Sequence, residues 1–444
     1  MSQTSDQWEY VRPQFDALPY PNVPLEQPFG NHPNYLSVHS CVIPYYLRYH
    51  QVINTQDKWI LDAGCGSGVK AAALAMANPG ARVVGIDISP KSVELAKQRI
   101  EYHGIQNPVE FHCLAVEELP SLGYSFDYIN CDETLYLLAD PVDGLEAMRA
   151  VLKPDGIIRA NMHSAFQRAD CYRVQAFLTQ LGYLRGALTQ EEIALTRQTM
   201  RNLQDWTVTK REIWQPNPEL ETDEEKLFAN FLLRGDKGTT MQAFSTMLQQ
   251  AGLEFVSMVD WRTWNLEMLF KDLTDLPLAI ALTMAEMSLE KQLHLFDLLH
   301  PVHRLLDLYC GHPGQAQARL PLIEWSDQQW KTARVHLHPQ LKTSAFKKLL
   351  RSHANRPGMI PLDQYFQIDG RPFKLDSAYA GCLYALLETP KTVNELAQRW
   401  LQVNPLDPIT LQPAPPSQGF ATVRNFLANL EQVGYVLIEL NSDI

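Results

Sequence analysis

The residues that most constrain this chain lie where one short apolar run breaks into glycines. Trp59-Ile60-Leu61-Asp62 reads as a buried strand and runs straight into Ala63-Gly64-Cys65-Gly66-Ser67-Gly68. Glycines at alternate positions let a backbone adopt torsions closed to other residues and come close to a ligand. The alanine-rich stretch from Val69 to Ala77 reads as a helix, stopped by Asn78-Pro79-Gly80. Strand, glycine turn and helix place a binding site beyond the carboxyl end of the strand, where open α/β sheets take their ligands. A second element agrees with this: Asp87 closes the next strand, in Val84-Gly85-Ile86-Asp87-Ile88-Ser89. An acid there can receive both hydroxyls of a ribose.

The alternation of strand and helix continues. Val109 to Leu114, Phe126 to Cys131 and Gly156 to Asn161 read as strands, and Pro90 to Tyr102 and Pro141 to Leu152 as helices. This order predicts an α/β fold with a doubly wound, mostly parallel, Rossmann-like sheet. Residues 165–238 interrupt it with polar helical sequence and read as a helical cap insertion. Met241 to Ala251 (helix) and Leu253 to Asp260 (strand) then resume the pattern. Residues 266–355 read as mainly helical, with Leu273 to Leu299 the longest stretch. From about 356 the order is helix, capped helix, helix, strand, which is winged-helix-like. Its second helix opens on Thr392 with Glu395 three residues later, a capping box. The expected domains are thus an N-terminal arm and lid (1–54), an α/β domain (55–265), a helical region (266–355) and a winged-helix-like domain (356–444).

Two cofactor classes use a glycine turn followed by an acid. A dinucleotide fingerprint spaces its glycines GxGxxG, whereas this chain has GxGxG from Gly64. That turn resembles the first motif of the class I S-adenosylmethionine-dependent methyltransferases. Gly85-Ile86-Asp87-Ile88-Ser89, Phe126-Asp127-Tyr128-Ile129 and Val151-Leu152-Lys153-Pro154-Asp155-Gly156 resemble three further motifs of that family, in order. The resemblance covers about residues 55–164 and implies S-adenosylmethionine as cofactor. It assigns Gly64, Cys65 and Gly66 to the amino-acid end of the cofactor, and Asp62 to its ammonium. Asp87 would take the ribose and Ile88 the adenine face. Where the family usually has an acid for the adenine amine this chain has Ala115, so Glu117 or the Val116 backbone is expected instead. Cys131 and Asp132 would border the methionine chain and the acceptor mouth.

Methyl transfer from a sulfonium is mostly alignment, and a base is needed only when the nucleophile arrives protonated. Asp132, Glu133 and His163 are the candidate catalytic residues. The Asn/Asp-Pro-Pro-aromatic motif typical of nucleobase and glutamine amino-group methyltransferases is absent from Asn130-Cys131-Asp132-Glu133. The proline- and tyrosine-rich arm, the cap and the long C-terminal region are similar to the layout of bacterial protein (lysine or asparagine) methyltransferases with a C-terminal regulatory region, such as the rickettsial outer-membrane-protein lysine methyltransferases. That likeness implies a nitrogen of a protein side chain as acceptor. It makes Tyr20, Tyr35, Tyr46 and Arg48 candidates for the substrate pocket. A small-molecule O-, N- or C-methyltransferase and a catalytically inactive interaction module are the alternatives.

Composition excludes other classes. The 444 residues are 45% hydrophobic and 20% charged, with a formal net charge of −12. From Arg356 onward six Lys and Arg face nine Asp and Glu. Phosphate contacts need cations, so nucleic acid is not expected as a partner and a protein or a second copy is. No apolar run of about 18 residues predicts a membrane span. The polar start does not read as a signal peptide. The seven scattered cysteines contain no CxxC pair, so neither a metal site nor a disulfide framework is expected. A reduced, cytoplasmic setting is the corresponding expectation.

Overall fold

The computed structural model describes residues 11–27, 33–184, 188–316, 320–354, 356–364, 373–407 and 409–440. The chain divides into two compact units. The described part of the first comprises residues 11–27 and 56–315, and that of the second residues 33–55 and 316–440.

The first unit is built on a central sheet. Its strands are β1 (Trp59–Ala63), β2 (Arg82–Asp87), β3 (Val109–Cys113), β4 (Phe126–Cys131), β5 (Leu152–Ser164), β6 (Gly238–Thr239), β7 (Glu254–Met258) and β8 (Leu305–Gly311). The order is β3-β2-β1-β4-β5-β8-β7, with the short β6 paired to β5. The β3-β2-β1-β4-β5 pairs are parallel, and β8 runs antiparallel to both β5 and β7. Strands β1 and β4 are buried almost throughout, as a sheet covered on both faces requires. Strand order reverses between β1 and β4, and such a switch point opens a crevice at the strand ends. The glycine turn lies there.

The insertion between β5 and β6 is helical as expected, with helices Ala169–Gln180 and Gln190–Asn202 followed by shorter turns. Leu227, Phe228, Phe231 and Leu232 bury into the same core as the sheet, so the insertion is packed onto the unit. Two expectations are corrected beyond it. Residues 266–355 are not one helical region, because Leu305–Gly311 forms β8 inside the central sheet and Arg334–Leu337 forms β9 in the second unit. Leu273 to Leu299 breaks into the turn Leu273–Asp275 and helices Leu278–Ala285 and Leu289–Leu299. Asp272 and Ser288 cap new starts there through their side chains.

The second unit holds a three-stranded antiparallel sheet in the order β12 (Lys391–Thr392), β9, β13 (Val436–Glu439). A separate pair is formed by β10 (Met359–Pro361) and β11 (Lys374–Asp376). The predicted capping box is formed: the Glu395 amide donates to Thr392 Oγ1 at 3.1 Å and the Thr392 amide to Glu395 Oε2 at 2.6 Å. Helices Val393–Val403 and Pro416–Gln432 pack closely, since a side chain at Gly419 would overlap Leu401. The expected arm, 1–54, is divided: residues 11–27 pack in the first unit and 33–54 in the second. Among the described residues no helix is long and apolar enough to cross a membrane.

Candidate active site

The turn after β1 is held by the neighbouring strand. The amides of Gly64 and Cys65 both donate to the Ile86 carbonyl, at 2.9 and 2.8 Å. Gly64 and Gly66 have φ of +81° and +49°, in the left-handed region. A Cβ at Gly64 would overlap the Thr134 side chain, and one at Gly66 the Tyr20 carbonyl. Both glycines are therefore dictated by contact as well as by torsion.

Asp87 is anchored by two amides. Gly66 N donates to its Oδ2 at 2.9 Å and Ser89 N to its Oδ1 at 2.8 Å. A carboxylate oxygen accepts two bonds, so each retains capacity for a hydroxyl. Burial raises the Asp87 pKa, with the two amide bonds opposing. Asp62, on β1, is buried; its Oδ1 accepts from Asn130 Nδ2 at 2.8 Å, and its Oδ2 has no partner among the described residues. Burial pushes its carboxyl up to about 6, against the Asn130 bond and the nearby Lys70.

These groups surround a cleft. Gly64, Cys65, Gly66 and Asp87 form its floor, and Ile88, Leu114, Val116 and Glu117 one end. Val11, Phe15, Tyr20 and Pro21 of the arm, and Lys70, Asp132, Glu133 and Thr134, complete it. Nearly all the residues expected to touch the cofactor thus line one cavity. Asp62 and Cys131 lie behind it in the strands; burial raises the thiols of both Cys65 and Cys131, which stay protonated.

The end near β4 and β5 is rich in charge. Lys70 Nζ donates to the Asp132 carbonyl at 3.0 Å and pairs with Asp132 Oδ2 at 3.0 Å and Glu133 Oε2 at 3.5 Å. Asn161 Nδ2 donates to Asp132 Oδ1 at 2.6 Å. Glu133 has φ +60°, and its amide donates to Asn161 Oδ1 at 2.8 Å. Its carboxylate accepts from the Tyr20 hydroxyl at 3.0 Å and is paired with Arg304. Burial acts to raise the Glu133 pKa, but the Lys70 and Arg304 cations outweigh it and hold the carboxyl below its usual range.

Residues 54–252 match the family model of a methyltransferase domain. This part of the chain belongs to the class I S-adenosylmethionine-dependent methyltransferases. S-adenosylmethionine is accordingly the cofactor of the methyltransferase domain, and the unpartnered Asp62 oxygen and the glycine cradle fit it. A Synechococcus protein is 26% identical over 317 residues, 70% of this chain and 72% of its own. The ubiquinone biosynthesis O-methyltransferase of Haemophilus ducreyi is 38% identical over 109 residues, 23% of this chain and 43% of its own. The chain thus spans less than half the length of that relative. In fold, PKMT2 from Rickettsia typhi matches 91% of this chain and 76% of its own, with a TM-score of 0.59 and 16% identity. The same protein in complex with AdoHcy matches at 0.58 and 18%.

The expected substrate and catalytic residues fall in both units. Tyr20 lines the cleft. Tyr35, Tyr46 and Arg48 are not among its lining residues and belong to the second unit. Tyr46 is buried there, its hydroxyl donating to Glu431 Oε1 at 2.7 Å and accepting from the Ile438 amide at 3.1 Å. Arg48 is buried beside the Tyr49 ring, and Tyr35 packs on His39. His163 is corrected as a base candidate. It is buried, stacks on Tyr136 at 3.9 Å and has Asp236 Oδ1 at 2.6 Å from Nδ1 and Arg304 at 3.0 Å from Nε2. Burial lowers its pKa, so it is neutral with both nitrogens engaged. Sequence reasoning missed Lys70, Asn161, Asp236 and Arg304. Lys70 was within reach of it, being two residues past Gly68 at the start of the helix; the other three carry no local signal.

Proposed function

We propose that the protein methylates a nitrogen of a protein side chain by direct in-line transfer. The observation that supports this reading most is the extent of the fold likeness to PKMT2: it covers 91% of the chain, well beyond the methyltransferase domain. A second unit of over a hundred residues suits a macromolecular acceptor, which must be held at many points.

Bound S-adenosylmethionine supplies an electrophilic methyl on a sulfonium. The chain's own residues bind and align. Asp62 receives the ammonium through its unpartnered oxygen. Asp87 would hold the ribose hydroxyls, and Ile88 and Val116 the adenine, with Glu117 or the Val116 backbone for its amine; all four residues line the cleft. Asp132 and Glu133 face the acceptor. Lys70 and Arg304 keep Glu133 ionised, which makes it a weak base and a strong hydrogen-bond acceptor. Its role would be to accept an N–H of the acceptor and so hold that nitrogen in one orientation at this end of the cleft. Tyr20 donates to Glu133 and closes the arm over that end.

A small-molecule oxygen acceptor is the second reading, favoured by the likeness to ubiquinone biosynthesis O-methyltransferases. Tritiated S-adenosylmethionine, purified protein and a lysate of the organism that encodes it separate the two. Label in acid-precipitable protein supports the proposal. Label only in a solvent extract supports the second reading, and no label despite cofactor binding supports an interaction module.

A further inference from the structure

Arg304 lies outside residues 54–252, at the entry to β8, yet its guanidinium pairs with Glu133, which lines the cleft. Its backbone is fixed, since the Ser164 amide donates to its carbonyl at 2.9 Å and the adjacent Leu305 pairs with His163. Its guanidinium makes two contacts of different kinds. One nitrogen lies 3.0 Å from His163 Nε2, and the other is paired with Glu133 Oε1. A guanidinium has no acceptor, so His163 Nε2 must be the accepting nitrogen and Nδ1 must carry the proton. That proton points to Asp236 Oδ1, 2.6 Å away. Asp236 is itself fixed by Arg168 NH2 at 2.9 Å and Tyr172 OH at 3.2 Å, both from the start of the insertion. A continuous chain of bonds therefore runs from the insertion through Asp236, His163 and Arg304 to Glu133.

We propose that Arg304 is a positioning residue for methyl transfer: oriented by the buried Asp236–His163 pair, it sets the Glu133 carboxylate at the acceptor end of the cleft. His163 then acts through Arg304, in place of the direct proton transfer expected of it. This rests on the reading of Glu133 as the acceptor-facing group. The groups that face Glu133 are Lys70, Arg304, Asp132, Tyr20, Tyr136 and Glu225, and Lys70 and Arg304 are its cations.

The test follows Glu133 directly. Protein carrying 13C at the glutamate carboxyl is titrated by NMR, with the Glu133 signal assigned by its loss in Glu133→Gln. In Arg304→Gln the Glu133 midpoint should rise by about one pH unit or more, as expected when one adjacent cation is lost. His163→Phe keeps the ring against Tyr136 but removes both nitrogens, and should move the midpoint the same way. His163→Gln keeps an acceptor toward Arg304 and should leave it near the parent value, as should Arg304→Lys in larger part. S-adenosylhomocysteine affinity should stay within about twofold in all four, while label transfer by Arg304→Gln and His163→Phe falls tenfold or more. An unmoved Glu133 midpoint in both Arg304→Gln and His163→Phe overturns the proposal. If Arg304→Gln does not fold, His163→Phe against His163→Gln decides it alone. The titration needs no acceptor, so it stands even if the lysate assay places the label in a small molecule.

Discussion

Replacing Asp62 with asparagine should stabilise the protein and weaken its hold on the cofactor. Asp62 is buried, and burial lifts its carboxyl from 3.8 to about 6. The folded state therefore binds this proton more tightly than the unfolded chain does. Stability linked to the group is fully present below about pH 4 and is lost as pH rises through about 6. A shift of about two units at 1.36 kcal/mol each sets the penalty near 3 kcal/mol at pH 8, as an upper figure. Asparagine has the same shape, keeps an oxygen to accept from Asn130 and carries no charge to desolvate. It should recover about 1–3 kcal/mol, or several degrees in Tm at ~2–4 °C per kcal/mol for a domain of this size. The gain should vanish when melting is repeated at pH 4. Calorimetric titration with S-adenosylhomocysteine should show the opposite sign. Loss of a charged hydrogen bond to the ligand ammonium costs about 1.5–3 kcal/mol, or roughly 10- to 100-fold in Kd. In the parent, affinity should fall as pH drops below about 6, where Asp62 takes up its proton. A variant less stable than the parent at pH 8, or one that binds as tightly, would refute this account of Asp62.

Asp87→Ala removes two acceptors from the ribose and should weaken S-adenosylhomocysteine binding by about 1–3 kcal/mol; an unchanged Kd in calorimetry would reject the role. Gly66→Ala places a methyl against the Tyr20 carbonyl at a left-handed torsion. It should cost about 1–3 kcal/mol and free the arm, seen as faster proteolysis before residue 27; an arm as resistant as the parent's would contradict the contact. Tyr46→Phe strips a buried hydroxyl from Glu431 and Ile438. It should destabilise the second unit by about 1–3 kcal/mol with cofactor affinity intact. A drop in affinity would instead restore Tyr46 to the binding machinery.

The cofactor end of the site was legible because its signals are short-range. A strand, three glycines and an acid one strand later are each set by local torsions and by the fixed geometry of adjacent parallel strands. The same holds for the Thr392–Glu395 cap, whose partners are three residues apart. The aromatic arm was legible only in part. Tyr20 and Tyr46 look alike in sequence, but one faces the cleft and the other satisfies its hydroxyl inside the second unit.

What the chain alone determined is the parallel sheet, the glycine turn and the acid that closes β2, since alternation and backbone freedom are properties of neighbouring residues. What only tertiary structure decided is the charged end of the cleft. Arg304 and Glu133 are 171 residues apart, and they meet because β8 inserts antiparallel beside β5. Nothing near Arg304 announces that pairing. A buried carboxylate accepts whichever cation the fold carries to it, and the electrostatic energy depends on distance in space and not on distance along the chain.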